Sequence, residues 1–507
     1  MLIVPSVTLC PRWTLVLVDL VQHTLSKSTL CTSLTQVRSI LPLTPGERTL
    51  PPRRPAFRIK PQSLDAECIP TQIPTSPLAC MPIEIMSLIF MYTLPSHDAP
   101  HGLDSLQEGP WVLAAVCSQW RKIALSLPRL WATIFLDFAE EDWNSPSFEA
   151  MRPKLELHLA RSQSLPLDIT FRAFWHEALC RKRELPVLDL LASHSDRWET
   201  IKFVGSYTLY SHLDTIRGNL PILRSLNIRV RQEHYTPRRG PLTIFEDCPE
   251  LREAYVNAKG YDGDLPLPME LPPNRLLRYS ASNSWANHAH VLRGMANLVD
   301  CVLHITDLPS IPSDSVIQLP RLRRLSLSTA EALELLETPA LEELYCFDHP
   351  DHLPSLLSRL PRLQKLFVAD IPSPSHLAPL LHVAPAISKL CLSIPIDFAP
   401  TLFSYLDNSP PDGTESKPPA LRELSLCLVP NDQPHDLDEL LRSAETQWRS
   451  GFLHSFKLCT KDSLPSAVPM ERLESLRDEG MEVVIFENAT SLYADFIPND
   501  FLLHTKR

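Results

Sequence analysis

An eight-residue phrase recurs along the chain and limits what it can fold into. It reads PILRSLNI from Pro221, PELREAYV from Pro249, PRLRRLSL from Pro320, PALEELYC from Pro339, PRLQKLFV from Pro361 and PALRELSL from Pro419. Written as LxxLxL with substitutions, its first position falls at Trp198, Leu223, Leu251, Leu276, Leu298, Leu322, Leu341, Leu363, Ile387, Leu421 and Leu453. Successive gaps are 25, 28, 25, 22, 24, 19, 22, 24, 34 and 32 residues, room for one strand and one return segment. The last two apolar positions of each copy are two apart, the strand spacing that sends both side chains to one face. The segments between copies, such as AEALELLE from Ala330 and PSLLSRL from Pro354, carry helix-like spacing over two turns or fewer. One strand and one short return cannot bury their own apolar face, whereas stacked copies share one. The expected fold is therefore α/β: a solenoid with a parallel sheet on its concave face and short helices or turns on its convex face. The proline before each copy fixes φ and ends the preceding helix.

Composition removes several function classes. With 48 basic against 59 acidic residues, a net charge of −11, the chain lacks the broad positive surface that nucleic acid or an anionic membrane requires. The short basic runs at Arg181 and around Arg238 read as solvated loops. Only 12 glycines stand against 50 prolines, and no GxGxxG, GxxxxGK[ST] or GxSxG occurs, so phosphate cradles and nucleophile elbows lose their usual signatures. The 12 cysteines include no CxxC, and Cys301 and Cys346 take aliphatic positions of the repeat, as buried thiols in a reducing compartment would. His176 and Glu177 lack the second histidine of a zinc motif, and the acidic run from Glu140 to Asp142 reads as solvated surface. No run of eighteen apolar residues exists, and the apolar start is broken by Pro5 and Pro11 and carries Asp19, so neither a span nor a signal peptide is expected. The chain is expected not to be an enzyme, with no catalytic, cofactor or metal residues.

Residues 1–73 show no sustained period and are expected to be disordered or a mispredicted start. From 74 to 138 the pattern is helical. Pro82 stands at a helix start, with Ile85, Leu88, Ile89 and Tyr92 on one face. After a polar insert, WVLAAVCSQWRKIALSL reads as a second amphipathic helix aligning Val112, Val116, Trp120 and Ile123, and PRLWATIFLDF closes the unit. Residues 139–195 connect and cap, 196–490 carry the repeats, and 491–507 form a tail.

CMPIEIMSLIF, then VCSQWRKIA, then RLWATI resemble the three blocks of an F-box. Pro82, Ile83, Glu84, Ile85, Ile89 and Phe90 match the first block, Val116, Cys117 and Trp120 the second, and Leu130 and Trp131 the third. Met81 replaces the family's leucine, and about fifteen residues are inserted between the first two blocks. Followed by leucine-rich repeats, the chain from residue 74 onward resembles the F-box and leucine-rich-repeat proteins of mushroom-forming fungi. That resemblance implies a non-catalytic subunit of a ubiquitin ligase, cytoplasmic or nuclear, docking on a Skp-type adaptor and through it on a cullin scaffold. Its adaptor contacts would be Pro82, Ile83, Glu84, Ile85, Ile89, Phe90, Val116, Cys117 and Trp120, while Leu130 and Trp131 read as core. Apart from the family, Pro82, Ile83, Ile85, Ile89, Phe90 and Trp120 are more apolar groups than roughly sixty residues can bury, which a partner surface would resolve. The other reading is a repeat scaffold whose F-box has drifted and binds no adaptor. The repeats lack the asparagine that usually follows LxxLxL, so their curvature is expected to be irregular. A protein substrate would meet the concave row, where Tyr345, Phe347 and Phe367 fall on adjacent rungs as an aromatic patch; the other reading is that one or more of them pack against a neighbouring loop.

Overall fold

The computed structural model describes residues 81–92, 109–138, 148–173, 177–231 and 241–260, and most of 263–486. The expectation for residues 1–73 lies outside them. The described residues separate into a small helical unit, holding 81–92 and 112–126, and a larger α/β unit that takes in Trp111 and the chain from Leu127 on.

In the larger unit one parallel sheet runs in chain order. Its strands are Thr133–Phe138 (β1), Leu167–Ala173 (β2), Trp198–Ser206 (β3), Ser225–Arg231 (β4), Glu253–Gly260 (β5), Arg278–Asn283 (β6), Asp300–Ile305 (β7), Arg324–Leu327 (β8), Glu343–Cys346 (β9), Lys365–Val368 (β10), Lys389–Pro395 (β11), Glu423–Val429 (β12), Ser455–Thr460 (β13) and Glu482–Phe486 (β14). Every LxxLxL copy from Trp198 to Leu453 supplies one of the rungs β3 to β13. Register aligns like with like. Leu325 lies beside Leu344, which lies beside Leu366, then Leu390, Leu424 and Phe456. All six belong to one contiguous apolar core running the length of the sheet.

Backbone hydrogen bonds explain how such a degenerate repeat holds its register. The residue after each leading apolar position donates its N–H to the same position one rung back: Arg323 to Val299, Glu342 to Arg323, Gln364 to Glu342, Ser388 to Gln364, each at 2.8–2.9 Å. The following N–H shares that carbonyl, as Glu343 does with Arg323. The prolines act one step later than a helix terminator would. Pro320, Pro339 and Pro361 occupy the second position of β-turns closed by Leu322 N–H to Leu319, Leu341 to Thr338 and Leu363 to Leu360, where a fixed φ suits the turn. Where asparagine is missing, other groups serve. Ser328 Oγ accepts from the Ile305 N–H at 2.8 Å, and Asp348 Oδ1 from that of Ala330 at 2.7 Å.

Gap length encodes the return segment. The 19-residue gap after Leu322 holds the 3-10 helix Ala330–Leu335, and the next holds the single-turn helix Leu353–Leu357. The long gaps after Ile387 and Leu421 hold Ala399–Asp407 and Leu437–Arg449. Two expectations change. The sheet starts at Thr133, well before the first strict repeat, because TIFLDF and LDITFRA pair as β1 and β2, and its last strand among the described residues is β14. PRLWATIFLDF therefore belongs to the sheet unit: Pro128–Ala132 is a five-residue helix leading into β1, and Leu130 and Trp131 are core. Trp131 packs edge-on to Trp111, with ring centroids 5.2 Å apart, and the Arg161 guanidinium lies 4.3 Å from its centroid. No described helix is long and apolar enough to cross a membrane.

Candidate protein-interaction surfaces

The helical unit is built from Ile83–Tyr92 (α1), from Pro110–Val116 (α2) beyond Trp111, and from Ser118–Leu125 (α3). Pro82 precedes α1, and its carbonyl accepts from the N–H groups of Ile85 and Met86, both at 3.1 Å. The expected second helix is two, because the chain extends at Cys117 (φ −157°, ψ 173°), whose Sγ accepts from the Trp120 N–H and caps α3. The bend is tied by the Arg121 guanidinium, which donates to the Ala114 carbonyl at 2.8 Å.

That bend decides which side chains are interior. Met86, Phe90, Leu113, Trp120, Ile123 and Ala124 are buried, with the Phe90 and Trp120 rings 5.0 Å apart. Phe90 and Trp120 are thus corrected from adaptor contacts to core of this unit. Ile89 is half-buried. Pro82, Ile83, Glu84, Ile85, Val116 and Cys117 are exposed. Of the residues expected on one face of α1, Ile85, Leu88 and Tyr92 face outward: Leu88 is 50% and Tyr92 84% exposed. Leu88 and Tyr92 are therefore surface candidates beyond the adaptor contacts expected from the sequence. The signal was present, since α1 reads IEIMSLIFMY, apolar on every side and wider than one core-facing stripe.

The sheet offers the second surface. Residues alternating with the core leucines point to its other face, and register sets them in rows: Ser326, Tyr345, Phe367 and Cys391, then Ser328, Phe347, Ala369, Ser393, Cys427 and Cys459. Tyr345, Phe347 and Phe367 come together on β9 and β10 as expected. The Tyr345 and Phe367 centroids are 6.3 Å apart, and those of Phe347 and Phe367 5.7 Å. The patch is not open, however: Tyr345 and Phe367 are 0% exposed, and Phe347 is half-buried. Lys365 Nζ lies 5.1 Å from the Tyr345 ring, and the phenol donates to Glu343 Oε2 at 2.5 Å. Burial first, then the Glu343 carboxylate, push the Tyr345 hydroxyl above its ordinary range, so it stays a neutral donor.

Beside these rows the first strand residues form a charge ladder. Arg278 bridges Glu253 (3.3 Å) and Asp300 (3.1 Å), Arg324 grips both Asp300 oxygens at 2.6 Å, and Lys389 pairs with Glu423 at 2.6 Å. Opposite charges in register lock each rung to the next.

Among the described residues no group of three or more His, Cys, Asp or Glu side chains could hold a metal ion. The thiols of Cys248, pushed up to about 12, and of Cys301 and Cys346, pushed higher, are raised first of all by burial, so they remain protonated. His176, residues 140–142 and residues 235–240 lie outside the described residues. No protein-family model matches the sequence, and no curated protein matches it.

Proposed function

We propose that the chain is a non-catalytic substrate-recognition subunit of a Skp-cullin-F-box type ubiquitin ligase. On this reading the helical unit is an F-box docking on a Skp-type adaptor, and the sheet unit is an irregular leucine-rich-repeat solenoid that holds a protein substrate. The observation carrying the proposal is the exposed apolar run on and beside α1. Ile83, Ile85, Leu88 and Tyr92 stand in solvent at the helix that begins at Pro82, while Met86 and Phe90 of the same helix are satisfied inside. A unit that has already filled its core gains nothing by displaying four large apolar side chains unless a partner covers them. The sheet is built to one rule over many rungs, presenting a long surface with little chemistry of its own, which suits recognition rather than catalysis.

The test is co-purification of a Skp-type adaptor with the full chain carrying Ile83→Ser and Leu88→Ser. Both positions are exposed, so the fold is unchanged by circular dichroism, and capture falls at least tenfold. Capture at the wild-type level by the double variant would remove α1 as the docking surface. A wild-type chain that never captures the adaptor would leave a repeat scaffold with a drifted F-box.

A further inference from the structure

From β6 to β10 the repeats sort their charges by position along each turn. Every lysine and arginine from residue 275 to residue 365 lies in the stretch that enters a strand or on that strand's first residue. The segments that leave these strands and return, 301–316, 325–335 and 344–356, carry Asp307, Asp314, Glu331, Glu334, Asp348 and Asp351 and not one lysine or arginine. In a chain of net charge −11, the entry edge of these rungs is a local basic strip. The carboxylates that share that edge are engaged. Asp300 is held by Arg278 and Arg324, Glu343 accepts from the Tyr345 hydroxyl and lies 4.0 Å from Lys365, Glu342 lies 3.9 Å from Arg323, and Glu337 accepts from the Gln318 amide.

Outside those pairings stand Arg275, Arg321 and Arg362, all exposed. Each comes directly before the leading apolar residue of its rung, Leu276, Leu322 or Leu363, and the strand register sets these places side by side. The intervening rungs put half-buried Asn297 and Ala340 there, so the arginines recur on alternate rungs. Two strand spacings are roughly 10 Å. A polyproline II segment rises about 3.1 Å per residue with three residues per turn, so every third side chain returns to one face after roughly 9 Å.

We propose that the entry edge of β6–β10 binds an extended acidic segment of a partner protein, whose carboxylates at every third residue meet Arg275, Arg321 and Arg362 in turn. The inference rests on reading the sheet unit as a protein-recognition surface and not on docking to the adaptor.

Fluorescence anisotropy with the purified full chain tests it, with no adaptor present, so failure here is separate from failure of the helical unit to dock. The probe is a labelled peptide of four Glu-Pro-Pro repeats. One control has the same residues with the four glutamates contiguous, and the other is an oligothymidylate of equal charge. The repeat peptide is expected to bind at least fivefold more tightly than either. Arg275→Glu, Arg321→Glu and Arg362→Glu together are expected to weaken it at least tenfold with an unchanged circular dichroism spectrum. Should that spectrum change, Arg321→Gln alone decides, with an expected loss of at least threefold. No binding by the wild-type chain, equal binding of the two peptides, tighter binding of the oligonucleotide, or a folded variant that binds like wild type overturns the proposal.

Discussion

On α1 of the helical unit, Leu88 and Tyr92 stand in solvent two residues from buried Met86 and Phe90. On β9 and β10 of the sheet, Tyr345 and Phe367 are buried although they point away from the core. Both regions carry more apolar surface than their own core accepts. The helical unit is small, and once Phe90 and Trp120 have met, the remaining apolar face of α1 has nothing left to pack against within the unit. A long sheet has two faces, and its second face is covered without any contribution from the core. Exposure in the first region marks a surface available to a partner, and burial in the second leaves no open aromatic surface there.

The sharpest way to break this comparison is within α1. Phe90→Ala removes a fully buried ring from a small unit and is expected to cost about 3–5 kcal/mol, seen as lost hydrogen-exchange protection across residues 81–126. Leu88→Ser, two residues away, is expected to change that protection by less than about 0.5 kcal/mol. Similar losses for both would mean that the outward stripe supports the fold rather than a partner.

A second test lies in the sheet unit, at His288. Its imidazole is buried, 3.5 Å from the Tyr279 hydroxyl and 3.3 Å from the His304 carbonyl, and the His304 and Asp307 side chains act on its charge in opposite directions. Burial is the largest influence and takes its pKa down to about 4. The folded state therefore stays neutral where the unfolded chain, near 6.5, takes up a proton. Stability from this site is complete above about pH 6.5 and is lost as pH falls toward 4, by about 3 kcal/mol at most. Chemical denaturation of His288→Gln across that window is expected to show a shallower acid loss than wild type. An unchanged slope would show that burial here does not hold the ring neutral.

The repeat was legible because it rests on a spacing that every rung must obey. Leu322, Leu341 and Leu363 lead successive turns, and even Leu276, in the loosely matching RLLRYSA, leads one. β1 and β2 were hidden because the helices Phe148–Arg161 and Glu177–Ala192 stand between the early strands, which erases a short period. In α1 the helix was legible but its orientation was not. With apolar residues on all sides, periodicity cannot say which stripe faces in, and the bend at Cys117 that chooses Phe90 and Trp120 comes from a cap rather than from a hydrophobic pattern. At Tyr345 and Phe367 the row was legible and the exposure was left open, because a strand pattern fixes which face a residue takes and carries no information about what lies on that face.

The charge ladder extends the comparison from apolar to ionic groups. Asp300 is 8% exposed at its side chain and is held by Arg278 and by both prongs of Arg324, so Asp300→Asn leaves two half-buried guanidinium groups short of a charged acceptor. The expected cost is about 2 kcal/mol, measured as a shift in denaturation midpoint with unchanged slope. Arg224 pairs with Glu199 at 2.9 Å in comparable geometry, but its side chain is 63% exposed, and water already solvates both partners in the unfolded and folded chain. Arg224→Ala is therefore expected to cost no more than about 0.5 kcal/mol and to lose even that in high salt. A larger effect at Arg224 than at Asp300 would mean that rung-to-rung pairing at the edge of the repeat, rather than desolvation at its centre, sets the register of the sheet.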